Sequence, residues 1–250
     1  MRFVGKRVLV TGGARGIGAA TAAAFLREGA HVAIGARSQA SYDAFAAAHP
    51  NARIVPALGD IVTRAACAKV VAAAERGLGG LDILVNSAGY FAEVPVEEID
   101  QEHWDRVMET NVAGTFFCSQ AALPQLKANK GNIVNLASDA GLIGYPLGAA
   151  YSASKAAVIN LSRAMVLELA RDIRINCVAP GNVDTDMIQQ AADATGDARA
   201  YLSAAHARSP MQRMATPAEV ADTILYLASD QASFVNGAIL SVDGGGVCGF

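Results

Sequence analysis

Short apolar runs alternate with alanine-rich helical stretches along most of this chain, and that alternation restricts it to very few folds. Arg7 to Thr11 reads as a strand ending at Gly12-Gly13, and a helix follows from about Ile17 to Glu28, closed by Gly29. The pair recurs as a strand over His31 to Gly35 with a helix over Gln39 to Ala48, then as Arg53 to Leu58 with Thr63 to Arg76. Further strands are expected at Leu81 to Val85, Asn132 to Leu136, Ile173 to Val178 and Ala238 to Val242. Helices are expected over Tyr151 to Ala170 and Pro217 to Leu227. The strand runs are continuous in Val, Ile and Leu, as strands covered on both faces must be. The expectation is therefore an α/β chain, a single Rossmann-type doubly wound parallel β-sheet flanked by helices on both faces.

No linker or shift in composition divides residues 1–250, so one domain is expected. Residues 183–214, polar and alanine-rich after Pro180-Gly181, are the least regular and would serve as a lid over a site. A formal charge of −3, with scattered basic residues, gives no electrostatic case for a nucleic-acid or membrane partner. Cys67, Cys118, Cys177 and Cys248 lack zinc-site spacing, and His31, His49, His103 and His206 lack a partner at ligand spacing, so no metal is expected. Without an apolar leader or a run of membrane-spanning length, a cytoplasmic protein is expected.

The block Thr11-Gly12-Gly13-Ala14-Arg15-Gly16-Ile17-Gly18 stands between a strand and a helix. Glycine there permits unusual dihedrals and close backbone approach, and free N–H groups at the helix start can face a phosphate. The context points to a nucleotide, although the spacing is neither GxGxxG nor a P-loop. Farther on, Tyr151 and Lys155 are four apart on an expected helix, so both lie on one face. A nearby ammonium would favour the tyrosinate and draw its pKa down toward the range useful for proton transfer. Alone, such a pair is ordinary for an exposed helix face.

Together these motifs resemble the short-chain dehydrogenase/reductase family over essentially the whole chain. Its glycine block matches Gly12, Arg15, Gly16, Ile17 and Gly18, and its adenine contact matches Asp60 and Ile61. Its motif after the fourth strand matches Asn86, Ala88 and Gly89, with Ser87 standing where asparagine is usual. Its catalytic set matches Asn111, Ser138, Tyr151 and Lys155, and its nicotinamide segment matches Pro180, Gly181, Val183 and Thr185. The resemblance implies that Tyr151 gives or takes the proton and Ser138 hydrogen-bonds the substrate oxygen. It further implies that Lys155 holds the nicotinamide ribose and Asn111 holds a water of a proton relay, in a homotetramer. Asp139, usually small and neutral in the family, would bond a polar substrate or simply face its turn.

An NAD enzyme of this kind places an acid at the end of its second strand, and this chain has Ala36 there. Arg15, Arg37 and Ser38 are placed to receive a 2′-phosphate, so NADP(H) is expected, with NAD(H) second. Gly141, Leu142, Ile143, Tyr145, Tyr90, Phe91 and the stretch 186–212 would line a small-molecule pocket for a modest carbonyl or alcohol. One alternative is a 3-oxoacyl-[acyl-carrier-protein] reductase, whose acidic carrier would need a basic rim such as Lys127, Lys130, Arg171 and Arg174. The other is a non-catalytic nucleotide-binding or regulatory protein on the same fold.

Overall fold

A computed structural model describes residues 1–249. Strand β1 (Arg7–Thr11) leads through helix α1 (Gly16–Arg27) to β2 (His31–Ala36), and α2 (Gln39–Ala48) leads to β3 (Ile54–Leu58). The chain then crosses through α3 (Arg64–Leu78) to β4 (Ile83–Asn86), on the far side of β1. There follow α4 (Gln101–Met108), α5 (Gly114–Ala128), β5 (Asn132–Leu136), α6 (Ala149–Leu169) and β6 (Arg174–Pro180). Helices α7 (Asp186–Ala194), α8 (Ala198–Ala207) and α9 (Pro217–Ala228) precede β7 (Ile239–Val242). The strands pair in parallel in the order β3-β2-β1-β4-β5-β6-β7, and the Rossmann-type sheet expected from the sequence is the one observed.

Successive residues of each strand face opposite layers, and both layers are apolar. Val8, Val10, Val32, Ile34 and Val85 pack against Phe25 of α1, Phe45 of α2 and Leu225 of α9. Leu9, Ala33, Leu84, Ile133 and Ile175 meet Val70 of α3, Leu126 of α5 and Met165 of α6. Each fully buried aliphatic side chain contributes about 1.5–3 kcal/mol, which is why these strands need no polar face. The run outward to β3 and then back across β1 to β4 opens a crevice at the carboxyl ends of those two strands, where ligands of such sheets bind.

Two segments are more regular than their sequences suggest. Between β4 and β5, α4 passes through a π-helical turn (Glu109–Ala113) into α5. That passage hides its periodicity, because the wider turn shifts the helical phase and Pro124 sits inside α5. Within 183–214 the chain forms α7 and α8, whose N-terminal caps are Thr185 and Asp197. No helix among the described residues is long and apolar enough to cross a membrane.

Candidate active site

The turn after β1 is shaped by backbone contact. Gly12 and Gly16 have φ of +64° and +53°, a region that favours glycine. A Cβ at Gly12 would sit 2.8 Å from the Ala88 Cα, and one at Gly18 would collide with the Gly12 carbonyl. Thr11 Oγ1 accepts hydrogen bonds from the Ser87 and Ala88 N–H groups at 3.1 and 3.2 Å, fastening the end of β1 to the loop after β4. At Arg15 the backbone is extended, and no side chain caps the first N–H groups of α1. Uncapped donors above a cradle that a Cβ would fill fit a dinucleotide pyrophosphate.

From this turn a cavity of about 910 Å³ runs across the carboxyl ends of the strands to α6. Gly12, Arg15, Gly16, Ile17, Gly18, Arg37, Asp60 and Ile61 line one end, and Ala88, Gly89, Pro180, Gly181, Val183 and Thr185 the middle. Ser138, Tyr151 and Lys155 close the other end. Three expected residues stand outside this lining. Ser38 caps α2, its Oγ accepting from the Ser41 N–H at 3.3 Å, and Ser41 lines the cavity in its place. Asn86 is buried, donating to Ser119 Oγ and Asn135 Oδ1 at 2.9 and 2.8 Å. Asn111 is also buried, in the π-helical turn, where its side chain accepts from Tyr90 N–H at 2.8 Å and donates to Tyr90 O and Ser154 Oγ. Ser154 Oγ donates in turn to the Tyr151 carbonyl at 2.7 Å, so Asn111 anchors the first turns of α6.

At the closed end, Ser138 follows β5 and lines the cavity together with Tyr151, its Oγ donating to Asp139 Oδ1 at 3.0 Å and accepting from the Ala140 N–H at 3.2 Å. Lys155 Nζ donates to the Leu136 carbonyl at 2.7 Å and lies 5.6 Å from the Tyr151 ring centre. Burial lowers this ammonium to about 8. Burial also holds the Tyr151 hydroxyl above the ordinary phenol range, against a smaller opposing influence of Ser138. The lowering by Lys155 expected from the sequence is not found: desolvation dominates, and the charges of Asp139 and Tyr145 push the same way. The Phe91 ring meets Tyr151 edge-on at 4.9 Å.

A family model described as enoyl-(acyl carrier protein) reductase matches residues 12–246. The chain belongs to the short-chain dehydrogenase/reductase family. It is 41% identical to 2-(S)-hydroxypropyl-CoM dehydrogenase 3 of Xanthobacter autotrophicus, over 98% of this chain and 97% of that one. It is 36% identical to the 3-oxoacyl-[acyl-carrier-protein] reductase FabG of Thermotoga maritima, over 98% and 99% of the two chains. With meso-2,3-butanediol dehydrogenase of Serratia marcescens it shares 39% identity over 98% and 96%. The crystal structure of gox2181 superposes with a TM-score of 0.91 at 31% identity, covering 99% of this chain and 98% of that one. This short-chain dehydrogenase/reductase is therefore an NAD(P)-dependent oxidoreductase acting on a small carbonyl or alcohol.

The enzyme's substrate end includes Glu93, a residue that no sequence signal marked. Glu93, in the loop after β4, accepts from the Tyr145 and Tyr201 hydroxyls at 3.0 and 2.9 Å, and the Arg208 guanidinium covers the Tyr145 ring at 4.2 Å. Glu93 lies in a loop where no periodicity or glycine pattern singles it out, whereas Tyr145 and the stretch that holds Tyr201 and Arg208 were expected near the pocket. Tyr90, Phe91 and Tyr145 line the cavity as expected, whereas Gly141, Leu142 and Ile143 do not. Among the described residues no cluster of three potential metal ligands occurs.

Proposed function

We propose that this enzyme moves hydride between NADP(H) and a small ketone or secondary alcohol, with Tyr151 as the proton donor and acceptor. The observation that carries this reading is the convergence of Ser138, Tyr151 and Lys155 at one end of a cavity whose other end is the glycine cradle. When bound, the nicotinamide supplies the hydride donor or acceptor. Ser138 fixes the substrate oxygen beside the Tyr151 hydroxyl, which protonates it during reduction and deprotonates it during oxidation. Lys155 holds the nicotinamide ribose and offers positive charge to the tyrosinate. The Asn111 side chain is committed to Tyr90 and Ser154, so Asn111 serves the reaction by holding the first turns of α6, and with them Tyr151, in place. Asp60 and Ile61 hold the adenine, and Val183 and Thr185 hold the carboxamide.

The preference for NADP(H) rests on the far end of the cavity. Ala36 closes β2 without a carboxylate, and the exposed Arg15 and Arg37 both line that end. Among the described residues neither arginine is in an ion pair, so both are available to a 2′-phosphate. Helices α7 and α8 act as the lid, and the enzyme works as a homotetramer, as the family resemblance implies. The acyl-carrier reading is less favoured. Arg174 donates to the Leu227 and Ser229 carbonyls, and Lys130 pairs with Asp172, so these groups are spent at the amino ends of β5 and β6, away from the cavity.

The test is a panel of ketones, sugars, cyclic alcohols and acyl thioesters, run in both directions with both nucleotides. Turnover faster with NADPH than NADH, and binding tighter in a fluorescence titration, is expected. Equal use of the two would remove the NADP(H) preference, and turnover restricted to acyl thioesters would restore the carrier-protein reading.

A further inference from the structure

The cavity wall that leads away from Tyr151 ends on a carboxylate that hydride transfer does not need. The Phe91 ring meets Tyr151 at 4.9 Å and Tyr145 at 5.9 Å, and the Tyr145 hydroxyl bonds Glu93. Phe91, Glu93, Tyr145 and Tyr151 all line the large cavity, so along this wall Glu93 comes two aromatic rings after the reacting phenol. Both phenols that bond it use the same oxygen: Tyr145 and Tyr201 donate to Oε1 at 3.0 and 2.9 Å. Each phenol has a single proton and has spent it there. Burial, with Glu93 adding to it, pushes Tyr201 up to about 12, and burial also holds Tyr145 above the ordinary range, so both remain donors. Among the described residues no group donates to the other oxygen, Oε2. Two donors from separate segments, the loop before α6 and helix α8, thus hold Oε1 in place and leave Oε2 as an acceptor fixed in advance.

We infer that Glu93 selects substrates carrying a second hydroxyl several bonds from the reacting carbon, which donates to Glu93 Oε2. The inference rests on the hydride-transfer reading above and adds to it a substrate class, the hydroxylated ketones and polyols. A hydroxyl brings one proton to the one acceptor on offer, whereas an ammonium would bring three. The rest of the wall agrees. Asp139, its other carboxylate, lies between this cavity and a smaller one of about 110 Å³, and its Oδ1 already accepts from Ser138 Oγ and the Ala140 N–H. Arg208 borders the smaller cavity and not the large one. An acidic substrate would therefore meet two carboxylates here, and the cation left to it is Arg106, whose guanidinium covers the Tyr90 ring at 4.1 Å.

A glutamate that merely tied α8 to the loop after β4 would act on every substrate alike, and that difference is measurable. The experiment determines kcat/KM with NADPH for methyl ketones bearing a terminal hydroxyl, over a series of chain lengths. The methyl ethers of the same ketones and the matching keto acids are run beside them. The wild-type enzyme should favour a hydroxylated ketone over its ether by about tenfold, as a hydrogen bond to a charged acceptor provides. Glu93→Gln keeps an oxygen for the two phenols but places an NH₂ group where Oε2 stood. The preference should then fall by about fivefold or more, through KM rather than kcat.

A fall of equal size on ketones and ethers would mark a structural tie and overturn the inference. Equal use of hydroxylated ketones and ethers by the wild-type enzyme, or a preference for the keto acids, would overturn it without any variant. Wild-type protein that turns over none of the ketones would overturn the hydride-transfer reading, and this inference with it.

Discussion

At the glycine-turn end of the cavity the wall is backbone, with Gly12, Gly16 and Gly18 falling within seven consecutive residues of one turn. At the substrate end the wall is side chains. Glu93, Ser138 and Tyr151 line it from three separate segments, and the hydroxyl that bonds Glu93 from α8, that of Tyr201, stands 108 positions farther along the chain. A backbone site is set by where a Cβ is forbidden, so it tolerates almost no substitution. A side-chain site is set by packing, so its specificity can drift while its fold stays the same.

The comparison breaks most visibly at Tyr151. Tyr151→Phe removes only the hydroxyl proposed as proton donor and is expected to cost about 10²- to 10⁴-fold in kcat. Binding of NADPH, read by fluorescence, should survive, because the glycine cradle proposed to hold it is untouched. A parallel loss of binding would mean that the two ends are not separable.

Lys155 gives a stability readout at the same end. Its folded pKa of about 8 lies below the unfolded value of 10.5, so between these limits the unfolded chain binds more protons. Stability of the ligand-free enzyme should rise through that window, by at most about 3 kcal/mol. Lys155→Met should flatten the rise in urea titrations at a series of pH values. A wild-type curve without it would show an ammonium better solvated than its burial implies.

At the other end, Gly18→Ala drives a methyl group into the Gly12 carbonyl. A loss of about 1–3 kcal/mol in urea unfolding is expected, together with weakened binding of either nucleotide. Smaller still is Arg37→Gln, which should weaken NADPH by about tenfold while sparing NADH. Ala36→Asp should invert the preference, measured as the ratio of the two dissociation constants. The smallest effect belongs to Glu93→Gln, which trades two charge-assisted bonds for neutral ones at about 1 kcal/mol. Its signature is a raised KM with kcat nearly constant, and a large fall in kcat would place Glu93 nearer the reacting atoms than its bonds to Tyr145 and Tyr201 suggest.

What could be read in advance follows the same division. The strand runs around Val8, Ile34 and Leu84 were legible because a strand buried on both faces leaves an unbroken apolar word. The cradle was legible because positive φ and close approach restrict Gly12, Gly16 and Gly18 within one local turn. The passage from α4 to α5 was not, since a π-helical turn and Pro124 blur the helical period. Ser38 and Asn86 matched the right places in the motif, yet each is engaged elsewhere, one capping α2 and the other bonding beneath the cavity. A sequence names the residue at a position, and the neighbours that compete for its hydrogen bonds come from distant segments.

By itself, then, the chain determined a doubly wound parallel sheet, a tight glycine turn after β1 and the Tyr151/Lys155 spacing, because each depends on residues close together in sequence. The tertiary structure alone decided the burial that raises Tyr151 and lowers Lys155, the Glu93 contact with Tyr145 and Tyr201, and the position of Asp139 between two cavities. Desolvation and long-range hydrogen bonds belong to the packed chain, and no local pattern encodes them.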